Sequence, residues 1–87
     1  IDNIDIASAK KNNIAVINTP MGNSVSTAEL AFGHLLSLAR RLPLAHEHVR
    51  SKLWRRGEFT GVELYNKTLG IVGFGNVGQK LAVRAQA

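Results

Sequence analysis

The sequence predicts an α/β fold, and three observations point there. Two short apolar runs, at residues 14–17 and 68–72, are bounded by polar and turn residues, as buried strands are. The chain between them carries apolar side chains at helical spacing behind clear start signals. A cluster of glycines then joins the second apolar run directly to another helical pattern.

Composition narrows the class. Eighty-seven residues make one small domain or a piece of a larger one. A hydrophobic content of 45% with 20% charged residues is that of a globular chain and not of a disordered tail. There is no cysteine, which excludes disulfides and thiolate-held zinc and fits a reducing, cytoplasmic compartment. No apolar run approaches the roughly 20 residues of a membrane span, so no membrane partner is expected. The net charge of +5 is concentrated: Arg40, Arg41, Arg50, Lys52, Arg55 and Arg56 fall within 17 residues, opposed only by Glu47. We read this stretch as a solvated face, or as the counterpart of acidic groups elsewhere, and expect no nucleic-acid partner.

Taken in order, the first element is a short helix over residues 5–11. Asp5 can cap its free amides, Lys10 and Lys11 suit the negative end of its dipole, and Asn12-Asn13 suit its exit. Residues 14–17 form the first strand, which stops at Asn18-Thr19-Pro20 because proline lacks the ladder donor. Residues 21–24 form a loop around Gly22. The long helix, residues 26–41, starts at a capping box with Ser26 as N-cap and Glu29 at N3, and runs to Arg41. Its Leu30, Phe32, Leu35, Leu36 and Leu38 spread over more than one stripe, so it needs cover on several sides. The remaining residues are too few to supply that cover, and the helix therefore expects another domain or another subunit.

Pro43 either breaks this helix or opens the next one. Leu42, Ala45, Val49 and Leu53 recur at helical spacing, with Gly57 as the expected end. Residues 59–66 form an irregular connector, residues 68–72 the second strand, and residues 77–86 a last helix without a C-cap. That uncapped end, and an opening Ile1-Asp2-Asn3 with no methionine, are expected of a piece of a longer protein.

The motif that carries chemistry is Gly73-Phe74-Gly75-Asn76-Val77-Gly78. A glycine triplet alone is a weak signal, but here a strand runs into it and a helix leaves it. Gly73 then makes the tight turn, Gly75 leaves the backbone open to a pyrophosphate, and Gly78 lets the helix pack closely. The pyrophosphate would sit on free amides at the helix start. The alternative is a glycine-rich turn that packs a helix on a sheet and binds nothing. Other candidates carry less. His46 and His48, two apart on a helix, point away from each other and cannot share a metal. His34 reads as a packed or interface histidine. Trp54 reads as a loop or subunit anchor, with base stacking beside Arg55 as the other possibility. Neither a metal site nor a catalytic arrangement emerges.

Beyond the glycine motif, the runs Asp2-Asn3-Ile4-Asp5, Ile14-Ala15-Val16-Ile17-Asn18-Thr19-Pro20, Gly22-Asn23-Ser24-Val25-Ser26-Thr27-Ala28-Glu29-Leu30 and Lys67-Thr68-Leu69-Gly70-Ile71-Val72-Gly73-Phe74-Gly75 follow one another in order. Together with Leu38-Ala39-Arg40 and Trp54 they make the chain resemble the D-isomer-specific 2-hydroxyacid dehydrogenases over essentially its whole length. The resemblance implies a partial Rossmann-like, doubly wound domain with a long interdomain and dimerisation helix. Residues 1–20 would end the substrate-binding domain and its crossover, and residues 21–87 would begin the NAD-binding domain. It implies NAD as cofactor, met by Gly73, Gly75, Asn76, Val77 and Gly78, with the glycines giving access and the backbone amides of Asn76 and Val77 meeting the pyrophosphate. It implies a homodimer, or a higher homo-oligomer, through the helix from Ser26 to Arg41. The substrate would be a small 2-hydroxy or 2-oxo acid, with 3-phosphoglycerate oxidised to 3-phosphohydroxypyruvate in serine biosynthesis as the best match. The family's catalytic arginine, glutamate and histidine fall beyond Ala87, and none of His34, His46 and His48 matches that histidine. These 87 residues alone are therefore expected to be inactive. A non-catalytic, NAD-sensing co-regulator of the same fold remains the alternative.

Overall fold

The computed structural model describes residues 3–20 and 22–87. Ile1, Asp2, Met21 and the side chain of Arg56, which entered the motif, loop and charge readings above, lie outside the described residues. The elements in order are α1 (Ile6–Lys11), α2 (Ser24–Arg40), α3 (Leu42–Arg50), a short 3-10 turn (Arg56–Phe59) and α4 (Asn76–Gln86).

Helix α1 forms as its end signals dictate. The Asp5 carboxylate accepts from the Ser8 amide at 3.0 Å, satisfying one orphan donor of the first turn. At the other end Asn13 takes a left-handed conformation, φ 57°. Its amide reaches the Lys10 carbonyl at 3.2 Å and the Ile14 amide reaches the Ala9 carbonyl at 2.8 Å. These two bonds close the helix as a Schellman motif.

Helix α2 departs from its expected start. It begins at Ser24, two residues before Ser26, with Asn23 in the cap position and no side-chain cap bond. The Ser26–Glu29 capping box therefore does not form, because both residues lie inside the helix. Packing is the reason: Ser24 and Ala28, 2% and 0% exposed, are the buried residues among those described, and α2 packs on α4. Tertiary burial extends the helix past its local start signal. At its far end Arg41 turns left-handed, φ 54° and ψ 41°, so that α2 stops at Arg40. Arg41 is also the cap of α3, whose first turn contains Pro43. Proline here opens a helix and kinks none.

Helix α3 ends at Arg50 and not near Gly57. Lys52 supplies the left-handed residue, φ 63°. Its amide bonds Val49 at 2.8 Å and the Leu53 amide bonds His48 at 3.3 Å, a second Schellman closure. The connector then returns to α2. The Val62 amide donates to the Ala39 carbonyl at 3.0 Å, filling an acceptor that the helix end leaves orphaned. Gly61 comes so close that a Cβ there would collide with the same carbonyl.

The two expected strands are corrected by the structure. Among the described residues, neither 14–17 nor 68–72 joins a ladder, and both are without regular structure. A strand exists through its neighbours' hydrogen bonds, and neither segment has such a neighbour. Ile14, Ile17, Leu69 and Val72 are exposed instead.

The arrangement is open. The Cα radius of gyration is 20.1 Å, against about 12 Å for a compact chain of this length. The accessible surface is 7623 Å², against roughly 5000 Å² for a compact protein of this mass. On α2, the stripe Ser24, Ala28, Phe32, Leu35 and Ala39 is covered or half-covered, whereas Leu30, His34 and Leu38 on the opposite side are exposed, Leu38 by 80%. Both magnitudes say that much of the surface here, Leu30 and Leu38 included, is left uncovered within the described residues.

Candidate functional site

Two walls define a cleft of about 530 Å³ at the shared end of α2 and α4. One wall is the turn that enters α2. Its Gly22 amide bonds the Thr19 carbonyl at 2.9 Å, with Pro20 presetting the bend. Asn23 and Ser24 continue this wall. The other wall is the loop from Ile71 to Gly75 followed by the first turns of α4, through Val77, Gly78 and Leu81.

The glycines of the loop have distinct geometry. Gly73 carries the left-handed turn, φ 97°, a conformation that favours a residue without Cβ. Gly75 has an ordinary φ of −81° and caps α4 without a side chain. A Cβ built on it would meet no heavy atom within 4 Å, so its backbone borders open space. Gly78 is the reverse case, since a Cβ there would stand 2.5 Å from the Gly73 carbonyl oxygen and 3.7 Å from Ile71 Cγ2. Its missing side chain lets α4 close against the loop.

The amides of Asn76, Val77 and Gly78 begin α4, where a helix has no internal acceptors for them. They carry the positive end of the helix dipole at the cleft. Backbone donors, a fixed partial charge and space above Gly75 suit an anionic group such as a pyrophosphate. Two side-chain amides brace the loop. Gln79 Nε2 donates to the Phe74 carbonyl at 3.1 Å, and Asn76 Nδ2 donates to the Pro20 carbonyl on the opposite wall at 3.2 Å.

With this geometry in place, comparison with known proteins decides the family. A sequence profile described as "D-isomer specific 2-hydroxyacid dehydrogenase, NAD binding domain" matches residues 32–87. The chain belongs to the D-isomer-specific 2-hydroxyacid dehydrogenase family. Its cofactor is NAD. Among curated relatives, D-3-phosphoglycerate dehydrogenase of Bacillus subtilis is 51% identical over all 87 residues, which are 17% of that protein. The human protein of the same name is 45% identical over the whole of this chain, 16% of its own length. The chain thus spans about a sixth of these relatives. In structure it is similar to the TT0316 protein of Thermus thermophilus, with a TM-score of 0.89 and 35% identity over 99% of this chain and 29% of that one.

The remaining sequence candidates lie away from the cleft. His34 is exposed beside Ser37, Leu38 and Arg41 and is not packed within the chain. His46 is exposed on α3. His48, read from sequence as a solvated-face residue, is half-buried: its ring lies 4.7 Å from that of Phe59, and its Nε2 accepts the Arg55 amide at 2.9 Å. Arg41 donates to the Glu58 carbonyl at 2.7 Å and Arg55 pairs with Glu58 at 3.4 Å, so part of the basic stretch is engaged locally. Among the described residues no cluster of three metal-ligating side chains exists, and no helix is long and apolar enough to cross a membrane. Sequence reading missed the side-chain role of Asn76. Its only signal was position, as the residue between the second glycine and the helix, and nothing local names Pro20, 56 residues earlier, as its partner.

Proposed function

We propose that the full-length protein oxidises D-3-phosphoglycerate to 3-phosphohydroxypyruvate with NAD, in the cytoplasm and as a step of serine biosynthesis. The observation that carries this reading is the cleft itself. Open space above Gly75 and free amides at Asn76 and Val77 lie on a chain whose relatives bear the name D-3-phosphoglycerate dehydrogenase. In this reading Gly73, Gly75 and Gly78 give the pyrophosphate access, and the backbone amides of Asn76 and Val77 hold it. Bound NAD supplies the hydride acceptor. The chain's own residues bind, orient and close the cleft, while the proton-transfer groups belong to the rest of the protein. Residues 68–72 join a parallel, doubly wound Rossmann-like sheet there, and residues 1–20 complete the substrate-binding domain and crossover. Helix α2 packs against a second subunit, a reading supported by the exposed Leu30 and Leu38.

The test is turnover by the full-length protein with a panel of D-2-hydroxy acids, read as reduced nicotinamide. Reduction with 3-phosphoglycerate and not with unphosphorylated hydroxy acids is expected. Preference for another hydroxy acid overturns the substrate. Tight NAD binding with no turnover of any acid favours an NAD-sensing co-regulator and overturns the enzymatic reading.

A further inference from the structure

We propose that the Asn76 side chain is a positioning residue that clasps the two walls of the cleft, coupling NAD occupancy to the turn at Thr19-Pro20. This rests on the reading of the cleft as the NAD site. The observation is one bond with unusual reach: Asn76 Nδ2 donates to the Pro20 carbonyl at 3.2 Å across 56 residues of sequence. Pro20 has no amide, so this carbonyl is its one main-chain group for a hydrogen bond. Asn76 is also the first residue of α4. One residue therefore offers its backbone N–H to the cleft and its side-chain N–H to the far wall.

The rest of the geometry shows why the clasp matters. The walls are joined on one side by the packing of α2 on α4, where Ser24 and Ala28 are buried. On the rim, the Asn76–Pro20 bond is the side-chain tie between them. Behind the rim, the Gly22–Thr19 bond closes the turn on itself just before α2 begins, and the loop is braced by Gln79 on Phe74. Each wall thus has its own internal hydrogen bond, and the clasp links the two across the rim. An anionic group drawn to the first turn of α4 holds Asn76 in place, and through it the turn that precedes α2.

The experiment uses the full-length protein and two variants, Asn76→Ala and Asn76→Asp. The alanine variant deletes the donor. The aspartate variant keeps the shape and removes the donor; its carboxylate also repels the proposed pyrophosphate, so exchange in both variants is measured at saturating NAD. Amide hydrogen exchange is measured with and without NAD, beside calorimetric NAD titration and thermal melts without ligand. In the unmodified protein NAD is expected to slow exchange both at residues 73–79 and at the amides of Asn18, Thr19 and Gly22. In both variants the protection at 73–79 remains and that at 18–22 is lost. NAD affinity of the alanine variant falls about three- to tenfold, the worth of one net hydrogen bond. Persistent NAD-induced protection at 18–22 in the variants overturns the clasp. So does a lowered melt with unchanged NAD affinity, which marks Asn76 as merely structural. Absence of NAD protection at 73–79 in the unmodified protein overturns the site reading itself, a failure that needs no variant to detect.

Discussion

Alanine at Gly75 and alanine at Gly78, made separately in the full-length protein, separate ligand approach from helix packing. At Gly78 the new Cβ stands 2.5 Å from the Gly73 carbonyl oxygen and 3.3 Å from its carbon. Both are backbone atoms, so α4 must back away from the loop. Overpacking of this kind costs about 1–3 kcal/mol, and the better helix propensity of alanine returns up to about 1 kcal/mol. A net loss of about 1–2 kcal/mol is expected from these two terms. At Gly75 the new Cβ meets nothing within 4 Å and φ is an ordinary −81°. The gain from a stiffer unfolded chain, about 0.4–1 kcal/mol, is offset by a poorer helix cap, about 0.5–1 kcal/mol. Stability should therefore stay within about 0.5 kcal/mol, using the same two terms. The methyl, however, fills space beside the free amides of α4. NAD affinity is expected to fall about tenfold or more, equivalent to about 1.4 kcal/mol. Urea unfolding without ligand and calorimetric titration with NAD read the two effects independently. Equal stability loss at both sites with NAD affinity unchanged at Gly75→Ala would refute the reasoning and reduce the loop to a structural turn.

Three further outcomes are expected. Leu38→Asp in the full-length protein should abolish the dimer in sedimentation, because a residue that is 80% exposed in this chain becomes an unpaired buried charge in the proposed interface; a normal dimer would remove α2 from that interface. Gly61→Ala should destabilise the protein by about 1–3 kcal/mol, since its Cβ collides with the Ala39 carbonyl that also accepts the Val62 amide; an unchanged urea midpoint would contradict this close approach. The isolated 87-residue chain should melt without cooperativity at low concentration, because ordering costs about 1–2 kcal/mol per residue and its buried hydrophobic core among the described residues is Ala28; sharp, dispersed amide resonances would refute that.

Local chemistry was legible wherever neighbours in sequence decide the outcome. The α1 cap at Asp5, its exit at Asn13, the break between Arg40 and Pro43, and the order of glycines 73, 75 and 78 all follow from residues within a turn of one another. The family resemblance rested on the same linear order. Where the sequence misled, a longer-range or absent partner was the cause. Ser26 and Glu29 have the spacing of a capping box, yet burial of Ser24 against α4 moves the helix start outward. Gly57 is the obvious helix stop, yet Lys52 closes α3 through carbonyls that only the finished helix presents. Residues 14–17 and 68–72 have strand composition, but a strand needs a neighbour to accept its hydrogen bonds. Chemistry along the chain thus settles which residues can turn and cap. Three-dimensional proximity alone settles that Asn76 meets Pro20, that His48 receives the Arg55 amide, and that one stripe of α2 is covered while Leu30 and Leu38 stay bare. The physical reason is that such contacts depend on which surfaces meet after the chain has folded back, and that information is not carried by spacing.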